Sequence, residues 1–170
     1  MTPIRMPLAV PGFLQSRLDR PVAVLGAGVS GRGLCQLLAA LGAEAVVYDA
    51  RERAFTAADA EHHALFVFSP GFAPDHPWLR LARAAGGTCL NEIDFASLCW
   101  QGRIIAVTGT NGKTTLTEFL THALAGIGRE AVATGNIGHA FSQLAAEQEG
   151  GAPESIAVCE ISSFQAESLR

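Results

Sequence analysis

The chain has 170 residues, 49% of them hydrophobic, and a formal net charge of −4. That length holds one large or two small domains with enough apolar material for a buried core. The acidic balance argues against a general nucleic-acid surface, which needs a basic stripe. No segment reaches the ~20 apolar residues that cross a bilayer.

Residues 1–20 lack a long apolar run and are interrupted by Pro7 and Pro11, so no signal peptide is expected. Short apolar runs then alternate with longer helical patterns, the signature of parallel sheets covered by helices. The first predicted strand, Val22–Leu25, leads into Gly26-Ala27-Gly28-Val29-Ser30-Gly31 and a helix with Leu34, Leu37, Leu38 and Leu41 on one face, closed by Gly42. A second strand, Ala45–Tyr48, ends at Asp49, and a third, Leu65–Phe68, runs into Ser69-Pro70-Gly71. A helix over 77–85 and a short strand over 88–90 follow, and 91–102 reads as a connector with a helical turn.

The pattern then restarts. A buried strand over 104–107 enters the run Gly109-Thr110-Asn111-Gly112-Lys113-Thr114-Thr115, and a helix with Leu116, Phe119, Leu120, Ala123 and Leu124 on one face comes next. A strand over 131–133 ends at Gly135-Asn136-Ile137-Gly138, a helix is predicted near 140–147, and a last strand over 156–159 ends in Glu160-Ile161-Ser162-Ser163-Phe164-Gln165. The expected architecture is α/β: a Rossmann-like parallel-sheet domain over 1–100, then the beginning of a P-loop ATPase domain over 101–170.

Lys113 is the chain's single lysine, and it stands where a glycine-rich turn enters a helix. Such a turn brings several backbone N–H groups and the helix's positive end to phosphate oxygens. The ammonium reaches the terminal phosphates and the next hydroxyl can ligate Mg²⁺. The loop is shorter than the strict P-loop, since Val107 stands five residues before Gly112. Gly109, Thr110, Asn111, Gly112, Lys113, Thr114 and Thr115 are therefore the ATP candidates, with Thr114 as a metal ligand. Glu160, at the carboxyl end of a buried strand, is the second candidate ligand, because Mg²⁺ takes oxygen donors and usually one or two carboxylates.

The turn Gly26–Gly31 with Asp49 fits a dinucleotide fingerprint, yet the same N–H groups accept any organic diphosphate, a UDP-sugar included. Arg51 adds a fixed cation. Alone, Ser69-Pro70-Gly71 is only a turn signal. The four cysteines, Cys35, Cys89, Cys99 and Cys159, lack metal or redox spacing and read as buried reduced thiols of a cytoplasmic protein. His62 and His63 are expected in solvent, and no histidine is assigned a role.

Together, Thr108 to Thr115, Gly135-Asn136-Ile137-Gly138 and Glu160 to Gln165 resemble the Mur ligase family, which builds the peptide of peptidoglycan. The Ser162-Ser163-Phe164-Gln165 run and the Ser69-Pro70-Gly71 turn are most similar to its D-glutamate-adding branch. The resemblance runs from about Val22 to Arg170. It implies that Val29, Ser30, Asp49, Arg51, Ser69, Pro70 and Gly71 line a site for the UDP portion of UDP-N-acetylmuramoyl-L-alanine, and that Asn136 and Ser162 meet its sugar-peptide portion. It further implies that Lys113 binds ATP phosphates, that Thr114 and Glu160 hold Mg²⁺, and that Lys113 and Glu160 serve catalysis. The L-alanyl carboxylate would become an acyl phosphate for attack by the amine of D-glutamate, with small molecules as the only partners, no nucleic acid or membrane, and a monomeric parent protein. The family's later metal-bridging lysine, a substrate histidine and the C-terminal domain have no counterpart up to Arg170, so the chain is expected to be a truncated piece without ligase activity. Other readings stay open: a sister ligase with another amino acid, an NAD-dependent oxidoreductase, or a non-catalytic UDP-ligand-binding unit.

Overall fold

The structure is a computed structural model and describes residues 8–162. In chain order, the elements are α1 (Gly12–Gln15), β1 (Val22–Leu25), α2 (Val29–Ala40), β2 (Ala45–Tyr48), α3 (Ala57–Ala60), β3 (Leu65–Phe68) and α4 (Pro77–Ala84). They continue with β4 (Thr88–Asn91), α5 (Glu92–Cys99), β5 (Arg103–Val107), α6 (Lys113–Gly126), β6 (Ala131–Gly135), α7 (Phe141–Glu147) and β7 (Ile156–Glu160).

Two sheets form, and every strand pair in them is parallel. The first has order β2-β1-β3-β4 and the second β5-β7-β6. The α/β class expected from the alternating runs is what forms. Strands covered on both faces read as continuous apolar runs, and β1 (Val-Ala-Val-Leu) is buried at all four positions. In the first sheet the chain leaves β1 to one side for β2 and to the other for β3. That reversal opens a crevice beyond the strand ends, where ligands bind in open α/β sheets.

Leu34, Leu37 and Leu38 of α2 join Val22, Val24, Leu65 and Val67 in the largest core cluster, which also holds Phe141 and Leu144 of α7 and Ala157 and Cys159 of β7. One apolar core thus runs from the first sheet to the second. The region 91–102 is more than a connector: α5 is an eight-residue helix capped by Asn91, whose Oδ1 accepts from Asp94 N–H at 2.7 Å. It is buried on several sides because β3 and β4 flank it on one side and α7 packs on the other.

Three further expectations need correction. His62 is exposed, but His63 is buried, its Nε2 2.8 Å from Tyr48 Oη and its Nδ1 2.7 Å from the Pro21 carbonyl. A carbonyl only accepts, so Nδ1 carries a proton, and Nε2 shares its hydrogen bond with a Tyr48 hydroxyl that also lies 3.4 Å from Asp59 Oδ1. The predicted apolar face of α6 is largely uncovered, with Leu116 46% and Phe119 66% exposed, because only Leu120 and Leu124 reach the small cluster around Val107, Ile156 and Val158. Of the four free thiols only Cys99 and Cys159 are fully buried, whereas Cys35 and Cys89 are half-exposed.

Candidate functional site

The second sheet aligns three strand ends in one row. Glu160 of β7 is in register with Val107 of β5 on one side and Gly135 of β6 on the other. The lysine loop leaves from the Val107 side and the loop of Asn136 from the Gly135 side, so the carboxylate lies between them. Glu160 is buried, and its Oε2 accepts from Thr114 Oγ1 at 2.8 Å. Glu160 is the final residue of the strand itself, not the first residue beyond it.

Gly112 is the N-cap of α6 with φ 75°, a left-handed conformation that costs any side-chain-bearing residue, and it lets the chain turn directly into Lys113. The Lys113 ammonium donates to the Gly109 carbonyl at 2.8 Å and is half-buried. Thr110, Asn111 and Thr115 are exposed around it. No side chain caps α6, so its first N–H groups remain directed at the loop. Thr114 and Glu160 form a pair of hard oxygen donors, the type Mg²⁺ takes, and a site with one carboxylate leaves room for phosphate and water ligands. Among the described residues no group of three or more His, Cys, Asp or Glu gathers as a metal cage.

Asn136 is exposed at the end of β6, and its N–H donates to the Glu160 carbonyl at 3.0 Å. The loop is tied at its base, where the His139 carbonyl accepts from Gly135 N–H at 3.0 Å and from Thr134 Oγ1 at 2.8 Å. Ser162 is half-buried two residues beyond Glu160. Ser163, Phe164 and Gln165 lie outside the described residues.

In the first sheet, the Gly26–Gly31 turn sits at the β1/β3 crevice. A Cβ on Gly31 would collide with the Gly26 carbonyl oxygen, so the close helix–strand approach requires glycine there. Val29 is 55% exposed at the start of α2, with Ser30 half-buried beside it. The Asp49 carboxylate closes the turn: Oδ2 accepts from Ala27 N–H at 3.1 Å and Oδ1 from Arg51 N–H at 3.0 Å. Those two backbone donors, from Arg51 and then Ala27, hold its carboxyl below the usual aspartate range. A Cβ on Gly26 would stand 2.8 Å from Ser69 Oγ, a buried hydroxyl with no hydrogen-bond partner among the described residues. A buried polar atom left so calls for a partner.

Gly26, Asp49 and Arg51 also line a cavity of about 340 Å³ with Phe72, His76 and Trp78. No motif in the sequence singled out these rings. The Phe72 and His76 centroids are 4.4 Å apart, and Phe72 and Trp78 are 5.9 Å apart. Their signal was an unusual concentration of rings just after Ser69-Pro70-Gly71 in a chain with few aromatics. The two halves meet through α2 and α7. A Cβ on Gly33 would lie 2.6 Å from Ser142 Oγ and 3.2 Å from Ala140 Cβ, so the helices following the Gly26 turn and the Asn136 loop touch near their starts.

The chain is 39% identical over 181 residues to the UDP-N-acetylmuramoylalanine--D-glutamate ligase of Corynebacterium jeikeium (strain K411), covering 89% of this chain and 36% of that protein. The enzyme of the same name from Nocardia farcinica (strain IFM 10152) is 38% identical over 177 residues, covering 90% and 36%. That from Chromobacterium violaceum is 36% identical over 174 residues, covering 88% and 38%. The chain therefore spans little more than a third of the length of these relatives. A pseudomurein peptide ligase type C from Methanothermus fervidus is a looser structural likeness, with 19% identity and a TM-score of 0.42 over 85% of this chain and 33% of that one. No family model matches the chain. Over nearly nine tenths of its length the chain is therefore similar in sequence to part of the UDP-N-acetylmuramoylalanine--D-glutamate ligases.

Proposed function

We propose that the chain supplies the two nucleotide-holding parts of an ATP-dependent acid–amino-acid ligase of peptidoglycan precursor synthesis, acting in the cytoplasm. The first sheet belongs to a domain over 1–100 and the second to a domain that begins near residue 101. In this reading UDP-N-acetylmuramoyl-L-alanine places its diphosphate on the Gly26–Gly31 turn, with Ser69 Oγ as an acceptor-seeking hydroxyl. Its base lies in the cavity of Asp49, Arg51, Phe72, His76 and Trp78.

ATP lies along 109–115. Lys113 exchanges the Gly109 carbonyl for a phosphate oxygen, and the free N–H groups of α6 hold the others. Thr114 and Glu160 would hold Mg²⁺, which when bound offsets charge that gathers on the transferring phosphoryl group. Asn136 and Ser162 bracket the end of β7 and orient the sugar-peptide arm toward it. The carboxylate of the L-alanyl group lacks a usable leaving group. Transfer of the terminal phosphoryl supplies one, and the D-glutamate amine then displaces phosphate to form the amide.

The observation that supports this best is the row Val107–Glu160–Gly135, with Thr114 bonded to Glu160, which brings lysine, hydroxyl, carboxylate and Asn136 to one edge. The rival oxidoreductase reading gives the lysine loop no task. A thermal-shift panel separates them. UDP-N-acetylmuramoyl-L-alanine and Mg·ATP should each raise Tm, with Arg51→Ala abolishing the first shift and Lys113→Ala the second. A shift with NADH alone would refute the ligase reading.

A further inference from the structure

The helix that follows the Asn136 loop does not cap itself. Its N-cap is Ala140, which offers no side-chain acceptor, and no acidic residue occupies its first turn. The acceptor comes from the other half of the chain. Glu92, the first residue of α5 and only 2% exposed, receives the Ser142 N–H on Oε1 at 2.6 Å and also a backbone hydrogen bond from Phe141. A buried carboxylate is costly unless donors surround it, and two orphan N–H groups at a helix start are suitable donors. Each half thus satisfies a group the other would leave unpaired.

The bond has a direction of influence. From Ser142 and Phe141 the chain runs back through Ala140 to His139, whose carbonyl is gripped by Thr134 Oγ1 and Gly135 N–H. Asn136 then bonds by its N–H to Glu160's carbonyl. The loop 135–139 is short, and both of its ends are fixed, one by the sheet and one by α7. We propose that Glu92 is a positioning residue. Acting through the N-terminus of α7, it sets the loop 135–139 so that Asn136 is held beside the end of β7 for the ligand arm that reaches there from the first sheet. The contribution to ligand binding rests on the ligase reading, whereas the control of the loop does not.

Two measurements on the 170-residue chain test it. Hydrogen–deuterium exchange needs no ligand. Peptides covering 135–142 should exchange about tenfold faster in Glu92→Ala than in the wild type, since each tenfold reflects about 1.4 kcal/mol of lost protection. Peptides of β1 and β3 should not change. Glu92→Gln keeps one oxygen acceptor and should show a smaller rise, and it carries the comparison if the alanine variant does not fold. Calorimetric titration supplies the second readout. UDP should bind wild type and variants within about twofold, whereas UDP-N-acetylmuramoyl-L-alanine should weaken about tenfold in Glu92→Ala. Unchanged exchange at 135–142 overturns the proposal. So does a uniform rise in exchange with equal weakening of both ligands, which is what a merely structural residue would give. If the wild type binds neither uridine ligand, the ligase reading fails, and the exchange result alone decides the role of Glu92.

Discussion

Gly33→Ala tests the contact that joins the two halves. Gly33 is a buried residue inside α2, with φ outside the positive range. Elsewhere in a helix, alanine would gain about 0.5–1 kcal/mol over glycine from reduced chain entropy. Here the new methyl would meet Ser142 Oγ at 2.6 Å, the Gln143 backbone nitrogen at 3.0 Å and Ala140 Cβ at 3.2 Å. The serine could rotate away, but the backbone nitrogen cannot, so α2 and α7 must separate. Overpacking of this kind costs about 1–3 kcal/mol. The net loss is then about 0–2.5 kcal/mol, a fall in Tm of up to about 10 °C for a chain of this size. Differential scanning calorimetry against Gly126→Ala gives the reference. Gly126 ends α6, and nothing lies within 4 Å of the place a methyl would take there, so that change should be neutral or slightly stabilising. A Gly33→Ala protein as stable as Gly126→Ala would show that α2 and α7 do not pack at this point.

Tyr48→Phe should cost about 1–3 kcal/mol, read as a lower urea midpoint, because it strands the buried His63 Nε2 without its hydrogen-bond partner. Burial pushes Glu92 above its ordinary 4.5, despite the Ser142 and Phe141 donors, so the folded chain holds that proton more tightly than the unfolded one. Stability from this group is therefore fullest below 4.5 and falls as pH rises through the raised folded value. The Tm of Glu92→Gln relative to wild type should accordingly improve between about pH 4 and about pH 8, and a constant difference would refute the sign. Burial pushes Cys99 and Cys159 up to about 12. A thiol reagent at neutral pH should therefore titrate only Cys35 and Cys89 until denaturant is added.

The strands were legible because burial on both faces writes itself as unbroken apolar runs. Val22–Leu25 and Leu65–Phe68 could be placed to the residue. The lysine loop was legible because its glycines and lone lysine answer a local chemical need. What escaped depends on distant partners. Nothing local marks Glu92 as buried, since its donors lie 50 residues onward in α7. α5 looked like a connector because a helix covered on several sides has no polar face to reveal its period. His63 sits beside an exposed histidine and is drawn inward by Tyr48, 15 residues earlier. The α6 face failed the opposite way: its periodicity is real, yet Leu116 and Phe119 stay open to water.

The ammonium of Lys113, folded back on the Gly109 carbonyl, is the only side-chain amine in the sequence. Acylating or reductive-methylating reagents can therefore modify no other side chain by amide or amine chemistry, and mass spectrometry of intact protein would count that one event beside the α-amino group. The occupancy of the loop thus carries its own covalent reporter, readable without introducing a label or altering a residue.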